Sequence, residues 1–350
     1  MAKVTMKTVA QKVGVSVMTV SNAFARPDQL SAALRERVLA TAAELGYEGP
    51  DPAARTLARG RTNTVGVLPC WSSPDVFGDD FYSAFLGSVS RELATRGYGM
   101  TLLPHAVDGG APVLNIAMDG AIVFDRAKLQ GGLGLDSLVR RGVPVAFVDQ
   151  APDVADFSVN VDDFGGARLG AQHVVDLGHR RIATANAGPE GTTSIEASGW
   201  HTSEERQRGR LEVLDAAGIV PLTAYRHISS VDNGMKMGFE LLDRPADERP
   251  TAVLCDSDAF AAGVLQAAYQ LGLTVPQDLS IVGFDDTALA REVRPALTTV
   301  RQDITAKGKA VTDLLLKQMD AARSNTVATP EHVLLPTELV VRDSTGPAPA

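Results

Sequence analysis

Short, nearly continuous apolar runs recur through most of this 350-residue chain, and they constrain its fold more than any other feature. They read TVGVL at 64–68, MTLL at 100–103, GAIVF at 120–124, PVAFV at 144–148, RIATA at 181–185, TAVLC at 251–255 and SIVGF at 280–284. Between them lie amphipathic stretches such as Phe81–Arg96, Ala167–Leu177, Glu204–Ala217 and Ala259–Leu271. Apolar runs without polar alternation are the pattern of parallel strands covered by helices on both faces. A doubly wound α/β core is therefore expected. The strands are too many for one comfortable sheet, so two similar parallel-sheet subdomains are the better expectation. The stretch 304–321 reads as helix, HVLL and ELVV read as strands, and STGPAPA at 344–350 reads as a disordered tail.

The first sixty residues have a different texture, with helical patterning alone. Thr5 is placed to cap a helix over Met6–Val13, and Gly14 to stop it. Ser16 is placed to cap Val17–Phe24, and Ser31 to cap Ala32–Leu45 before Gly46. GPDP at 49–52 then leads into AARTLARGRT, which is too short to stand as a lone helix in water and reads as a linker that orders on demand. Charge separates this end from the rest. The chain carries a formal charge of −9, yet residues 1–61 hold nine Lys/Arg against five Asp/Glu. That asymmetry points to an anionic partner for the small segment only.

Within Lys7–Phe24 the spacing of Ala10, Gly14, Val15 and Val20 suits a helix-turn-helix. A small residue at Ala10 lets two helices cross closely, and Gly14 accepts the left-handed turn at no Cβ cost. The second helix then turns Val17, Met18, Ser21 and Asn22 outward. Apolar side chains at an exposed helix start make sense against thymine methyls and base edges in a major groove. Thr5, Ser16, Thr19 and Ser21 are short hydroxyls suited to phosphate oxygens.

The runs VTMKTVAQKVGVSVMTVSNAF, LSAALRERVLATAAELGY and AARTLARGRTNTVGVL resemble the LacI–GalR family of bacterial transcriptional regulators. The resemblance continues through VNVDDFGGARLGAQHVVDLGHRRIA, SDAFAAGVLQAAYQLGLTVPQDLSIVGFDDT and RPALTTVRQ, covering almost the whole chain in order. It implies a homodimer with paired helix-turn-helix heads, hinge helices and a core like periplasmic sugar-binding proteins. On that basis residues 1–48 are the DNA-binding head, 49–62 the hinge segment and 63–343 the effector core. The core divides into one subdomain of about 63–161 with 294–322, and another of about 162–293 with 323–343, before the tail at 344–350. The recognition helix begins at Ser16, with Val17, Met18 and Asn22 at base-reading positions and Tyr47 against the backbone. Leu57 matches the family's minor-groove wedge, an apolar side chain that unstacks one step and kinks the duplex. Ala54 is small enough to lie deep in that groove, and Arg55, Arg59 or Arg61 supply the cation that Ala58 does not. Two departures, Thr8 where aspartate is commoner and Asn22 where arginine is commoner, point to a different operator half-site.

In a doubly wound sheet, ligands sit outside the carboxyl ends of the strands. Those ends carry Pro69–Ser73, Asp149, Asp256–Asp258 and Asp285–Asp286. Carboxylates accept paired bonds from adjacent hydroxyls, and a guanidinium such as that of Arg206 donates to ring or hydroxyl oxygens. The resemblance places Asp149, Arg206, Ser257 and Asp285 at effector contacts, with Ser73 beside them and Phe81 as a stacking wall. Asp162, Asp163, Asp258 and Asp286 are read as helix N-caps, His173 and His179 as structural, and Cys70 and Cys255 as small buried residues. Ser257 replaces a frequent asparagine, and residues 186–206 form a long loop in which Trp200 serves as a lid, a platform or an anchor.

An enzyme is not expected, because GxSxG, GxxxxGK[ST], HExxH and a complete GxGxxG are all missing. No cofactor or metal is expected. A periplasmic sugar-binding protein without a DNA role is the alternative, opposed by the basic head and by an amino terminus with no apolar signal region. The expectation is a cytoplasmic, homodimeric repressor of carbohydrate or nucleoside metabolism on a pseudo-palindromic operator. A sugar or nucleoside would release it, and no membrane is involved. No leucine heptad follows the core, so a tetramer built on one is not expected.

Overall fold

The computed structural model describes residues 4–50, 60–69, 76–103, 112–124, 138, 140–151, 155–188 and 200–349. It divides into two compact units, Met1–Thr62 and Asn63–Ala350.

The first unit holds α1 (Met6–Val13), α2 (Val17–Ala25) and α3 (Ala32–Glu44). Each begins at a hydroxyl cap. Thr5 and Thr8 form a reciprocal box, Ser16 accepts from Thr19 N, and Ser31 accepts from Leu34 N. Gly14 ends α1 at φ 80°, a left-handed conformation that a side chain would resist. Val9, Ala10, Val20, Ala23, Val38 and Ala42 are buried together as the head's core.

The second unit contains two six-stranded sheets. The first has the order β11-β5-β4-β3-β1-β2, built from β1 (Thr64–Leu68), β2 (Gly99–Leu102), β3 (Gly120–Phe124), β4 (Val145–Val148), β5 (Phe157–Val161) and β11 (Glu331–Leu335). All its pairings are parallel. The second has the order β12-β10-β9-β8-β6-β7, from β6 (Ile182–Ala187), β7 (Leu222–Arg226), β8 (Ala252–Cys255), β9 (Ser280–Asp285), β10 (Thr298–Gln302) and β12 (Thr337–Val340). Only β12 runs antiparallel, against β10. The two sheets repeat one doubly wound order, which puts each switch point between the first and third strands of its lobe.

Helices α4 (Asp80–Thr95) and α10 (Ile304–Arg323) pack on the first sheet, where Val89, Leu93, Val311 and Leu315 join Val65, Val67, Ile122 and Val148. The second lobe carries α5 (Asp163–Asp176), α6 (His201–Ala216), α7 (Val231–Leu242), α8 (Asp258–Gln270) and the short α9 (Ala288–Glu292). Helices α5 and α6 approach so closely that a Cβ at Gly209 would stand 2.2 Å from the Phe164 carbonyl oxygen.

Two sequence expectations are corrected here. The chain crosses between lobes at 161–162, 302–303 and 335–337, so β10 belongs to the second lobe, while β11 adds to the first sheet beside β5. The expected grouping of 294–322 with the first lobe therefore fails for 298–302, and that of 323–343 with the second fails for 331–335. A propensity pattern identifies a strand but not its sheet, because the crossover is set by tertiary pairing. The end of the chain is also no loose tail. Ser344 is fully buried; its hydroxyl accepts from Thr298 N at 2.8 Å and donates to Ile281 O at 2.6 Å. Gly346 N donates to Ser280 Oγ, and Ala348 N to Leu177 O. His173 and His179 bond Thr345 Oγ1 and Gly346 O, which gives both histidines the structural role expected of them.

Candidate functional site

The head presents the start of α2. Val17 and Met18 are 42% and 69% exposed, unusual for apolar side chains in so small a unit, while Val20 and Ala23 on the opposite face are buried. Ser16 Oγ lies 2.9 Å from Thr19 Oγ1 and accepts from Thr19 N at 3.0 Å. That cap satisfies one of the amides at the start of the helix, and the helix dipole favours an anion at this end. Thr5 is exposed and engaged with Thr8; Ser21 and Asn22 are half-buried, and Asn22 Nδ2 donates to Gln29 Oε1 at 3.1 Å. The Tyr47 ring packs edge-on against Phe24, 5.7 Å between centroids. Ala54, Arg55 and Leu57 lie outside the described residues, as does Ser73.

In the second unit a cavity of about 610 Å³, counted with its open mouth, lies between the two lobes at the carboxyl ends of their strands. Asp149, Arg206, Ser257, Asp285 and Phe81 all line it, so five of the six expected effector residues converge on one site. Local backbone aims two of them. Asp149 closes β4 at φ 58° and Asp285 closes β9 at φ 112°, strained conformations that turn each carboxylate off its strand.

Arg206, 8% exposed, is no surface ion-pair partner of Glu204 or Glu205. Its Nε donates to Asp163 Oδ1 at 2.7 Å, another nitrogen donates to the Asp256 carbonyl, and a third stands 3.6 Å from Asp285 Oδ1. The guanidinium lies over the Phe284 ring, 3.6 Å from its centroid. Burial disfavours its charge, but Asp163, Asp285 and Asp256 reverse that and hold the group firmly protonated. Burial likewise drives Asp285 well above the usual carboxylate range, opposed by Arg206 and reinforced by repulsion from Asp258 and Asp79.

Three of the expected caps are corrected. Asp162 does cap α5, accepting from Gly165 N at 2.8 Å, but Asp163 is the buried partner of Arg206. Ser257, not Asp258, caps α8, accepting from Phe260 N at 3.1 Å. Asp258 instead ties strands to loop: it accepts from Thr299 Oγ1 at 2.5 Å and Thr287 N at 2.8 Å, and burial pushes it up to about 7. Asp286 clamps Arg301 and Arg342 at 2.7 and 2.6 Å. Cys255 is buried, and desolvation pushes its thiol up; Cys70 lies outside the described residues.

The cavity is also lined by Asp79 and Gln302, which the sequence pattern did not single out. Asp79 caps α4, accepting from Phe81 N and Tyr82 N at 2.8 and 3.3 Å, and burial raises it to about 6. Gln302, Thr202, Ser203 and Ser229 extend the polar lining. Trp200 is buried against the His227 ring and lines the wall. Asp256 is held by Arg210 at 2.8 Å, Ala187 N at 2.7 Å and Ser203 Oγ at 2.6 Å, which leaves it committed to the wall.

Comparison with known proteins decides the family. Residues 5–49 match the bacterial regulatory proteins of the lacI family, and residues 171–345 match the periplasmic binding protein-like domain. The chain is 36% identical to the HTH-type transcriptional regulator IpsA of Corynebacterium glutamicum, over 90% of this chain and 91% of that one. The chain belongs to the LacI family. Among solved structures, a lac repressor dimer bound to operator and the anti-inducer ONPF superimposes with a TM-score of 0.78 at 27% identity, covering 98% of this chain and 99% of that one. The transcriptional regulator CelR–cellobiose complex does so with 0.69 at 29%, covering 98% and 100%. This LacI-family protein is thus a DNA-binding transcriptional regulator. It has a helix-turn-helix head and a periplasmic-binding-protein-like core. The signals that could have revealed Asp79 and Gln302 were the DDF start of α4 and the VRQD crossover, both of which read locally as capping or strand-end residues.

Proposed function

We propose that the protein is a cytoplasmic repressor that binds a pseudo-palindromic operator as a homodimer and is released by an uncharged, hydroxyl-rich effector, a sugar or a nucleoside. One observation carries the effector class. Asp149, Arg206 and Asp285 converge on a cavity walled by Phe81, which offers acceptors, a forked donor and an aromatic face together. Vicinal hydroxyls satisfy that set, and the cluster's carboxylate excess opposes an anionic ligand. Cellobiose in the CelR complex supports the sugar reading.

Val17, Met18 and Asn22 read base edges, with Thr5, Ser16, Thr19, Ser21 and Tyr47 on phosphates. In this reading Ala54, Arg55 and Leu57 enter the minor groove, and Ser73 joins the effector wall. The homodimer is supported by an apolar groove on the second lobe lined by Leu265, Leu273, Val275, Val293, Pro295 and Tyr269, the last 83% exposed. Effector closure would turn one lobe on the other and alter the spacing of the two hinge segments. No catalytic step is assigned to the cleft. The test is a thermal-shift screen of neutral sugars and nucleosides, followed by operator titration with each hit. A hit that raises the melting temperature and weakens operator binding supports the reading; stabilisation by phosphorylated compounds alone overturns it.

A further inference from the structure

Lys307 is fully buried in the opening turns of α10, a position that calls for explanation. A cation near a helix amino terminus opposes the helix dipole, and burial adds a desolvation cost. Side chains on a helix lean back toward its start. The ammonium therefore reaches the crossover at 302–303, where the chain leaves the second sheet for the first lobe. There Nζ donates to Asp149 Oδ1 at 2.6 Å and to Gln302 Oε1 at 3.1 Å, and lies 5.0 Å from the Phe81 ring centroid. The other end of the same amide, Gln302 Nε2, donates to Asp285 Oδ1 at 2.6 Å. Chemistry fixes that orientation. A reversed amide would set its NH2 group against the ammonium and its carbonyl against the carboxylate.

We propose that Lys307 is a positioning residue of the effector cleft: it holds Asp149 on the first lobe and, through the oriented amide of Gln302, Asp285 on the second. The two carboxylates lie on opposite lobes, and each has one oxygen engaged within the protein while lining the cavity. The relay continues through Arg206 to Asp163, so a single polar chain spans both walls. Asp79 at the start of α4 and Asp258 at the start of α8 are the other charged groups acting on Asp285. One buried charge thus orients acceptors on both lobes, and the site is pre-set for a ligand that brings donors to the two together. This inference deepens the effector reading above and rests on it for its functional meaning.

The test needs neither effector nor DNA. The full chain, labelled with carboxyl-13C aspartate, is titrated by NMR, and the Asp285 signal is assigned by its loss in Asp285→Asn. Lys307→Met is expected to move the Asp285 midpoint upward, although Lys307 does not touch that residue, while Lys307→Arg leaves it nearly in place. If Lys307→Met fails to fold, the charge-free pair Asp149→Asn with Lys307→Met carries the same expectation. On a Gln302→Leu background, Lys307→Met should no longer move Asp285, which a purely structural lysine would not produce. An Asp285 midpoint indifferent to Lys307 overturns the relay and leaves the regulator reading standing. A chain that binds no effector but shows the shift overturns that reading and leaves the relay.

Discussion

Replacing Arg206 by methionine removes the cation from a buried set of carboxylates while keeping most of the side-chain volume. Asp163 loses a 2.7 Å charge-assisted bond, Asp285 loses its nearest cation, and the face of Phe284 loses its covering guanidinium. Breaking a buried pair from one side costs about 3–5 kcal/mol, because the orphaned charge stays desolvated. That is roughly 150- to 5,000-fold in the unfolding equilibrium. The melting temperature should fall by roughly 6–20 °C, at about 2–4 °C per kcal/mol for domains approaching this size. Acidity should relieve the loss. Asp163 and Asp285 already titrate above their ordinary values through burial, against the pull of Arg206. A carboxyl raised in the folded state stabilises in its protonated form at low pH, and that contribution is lost as pH rises through the folded value. Without Arg206 both groups rise further, so the deficit should be small below the wild-type folded values and full above those of the variant. Urea denaturation of both proteins at a pH on each side of that window measures it. A deficit below about 1 kcal/mol, equal at both, would refute the buried-cluster argument, given the size of the pair's expected contribution. Arg206→Lys should recover little, since a point ammonium cannot bond three partners and stack on a ring.

Further outcomes follow from individual contacts. Met18→Ala should weaken operator binding by roughly tenfold or more with head helicity unchanged, if the exposed methionine meets a thymine methyl; fluorescence anisotropy against a scrambled duplex checks it. Asp79→Asn keeps an N-cap of α4 but removes a carboxyl that burial lifts to about 6. The wild-type penalty is absent at pH values below the unfolded-state value and complete above the folded one, so the variant should gain thermal stability between those limits and hold the gain above them. Ser344→Ala strands Thr298 N–H and the Ile281 carbonyl in the core, costing about 1–3 kcal/mol by denaturant titration. Gly209→Ala drives a methyl into the Phe164 carbonyl oxygen, 2.2 Å away, and should part α5 from α6 with a clear fall in melting temperature.

Much of the fold was legible because periodicity and punctuation agree with the tertiary structure. Thr5, Ser16 and Ser31 mark the three head helices to within a residue, since each hydroxyl satisfies an amide that the helix leaves free. The five residues of TVGVL and of GAIVF coincide with β1 and β3. FSVNV and LTAYR carry polar residues into their sheets, and so β5 and β7 escaped the apolar-run criterion. In α7 the pattern is broken by Gly234 and Gly238, which are needed because a Cβ at either would meet α8 within about 2.5 Å. The tail misled for a related reason. Composition marks Ser, Gly and Pro as irregular, yet irregular backbone can still be bonded residue by residue.

The site was legible where residues close strands and obscure where they act through others. Asp149 and Asp285 follow apolar runs, so the strand-end rule finds them. Arg206 sits on a helix whose sequence, HTSEERQRGR, looks solvated, and only the packing of α6 against α5 and β9 turns it inward. Lys307 has the same disguise, in a helix start that reads as charged surface.

The proposed coupling is that occupancy of the inter-lobe cleft governs DNA binding by the head. It is tested most directly by operator titration of the full chain, on a duplex recovered by genomic selection, with and without the neutral compound that most stabilises the protein. Salt-sensitive binding is expected, with an affinity that falls when the compound is present, and an Arg206→Met variant should still bind the duplex but ignore the compound. Identical operator affinity in the presence and absence of a ligand shown to occupy the cleft would contradict it.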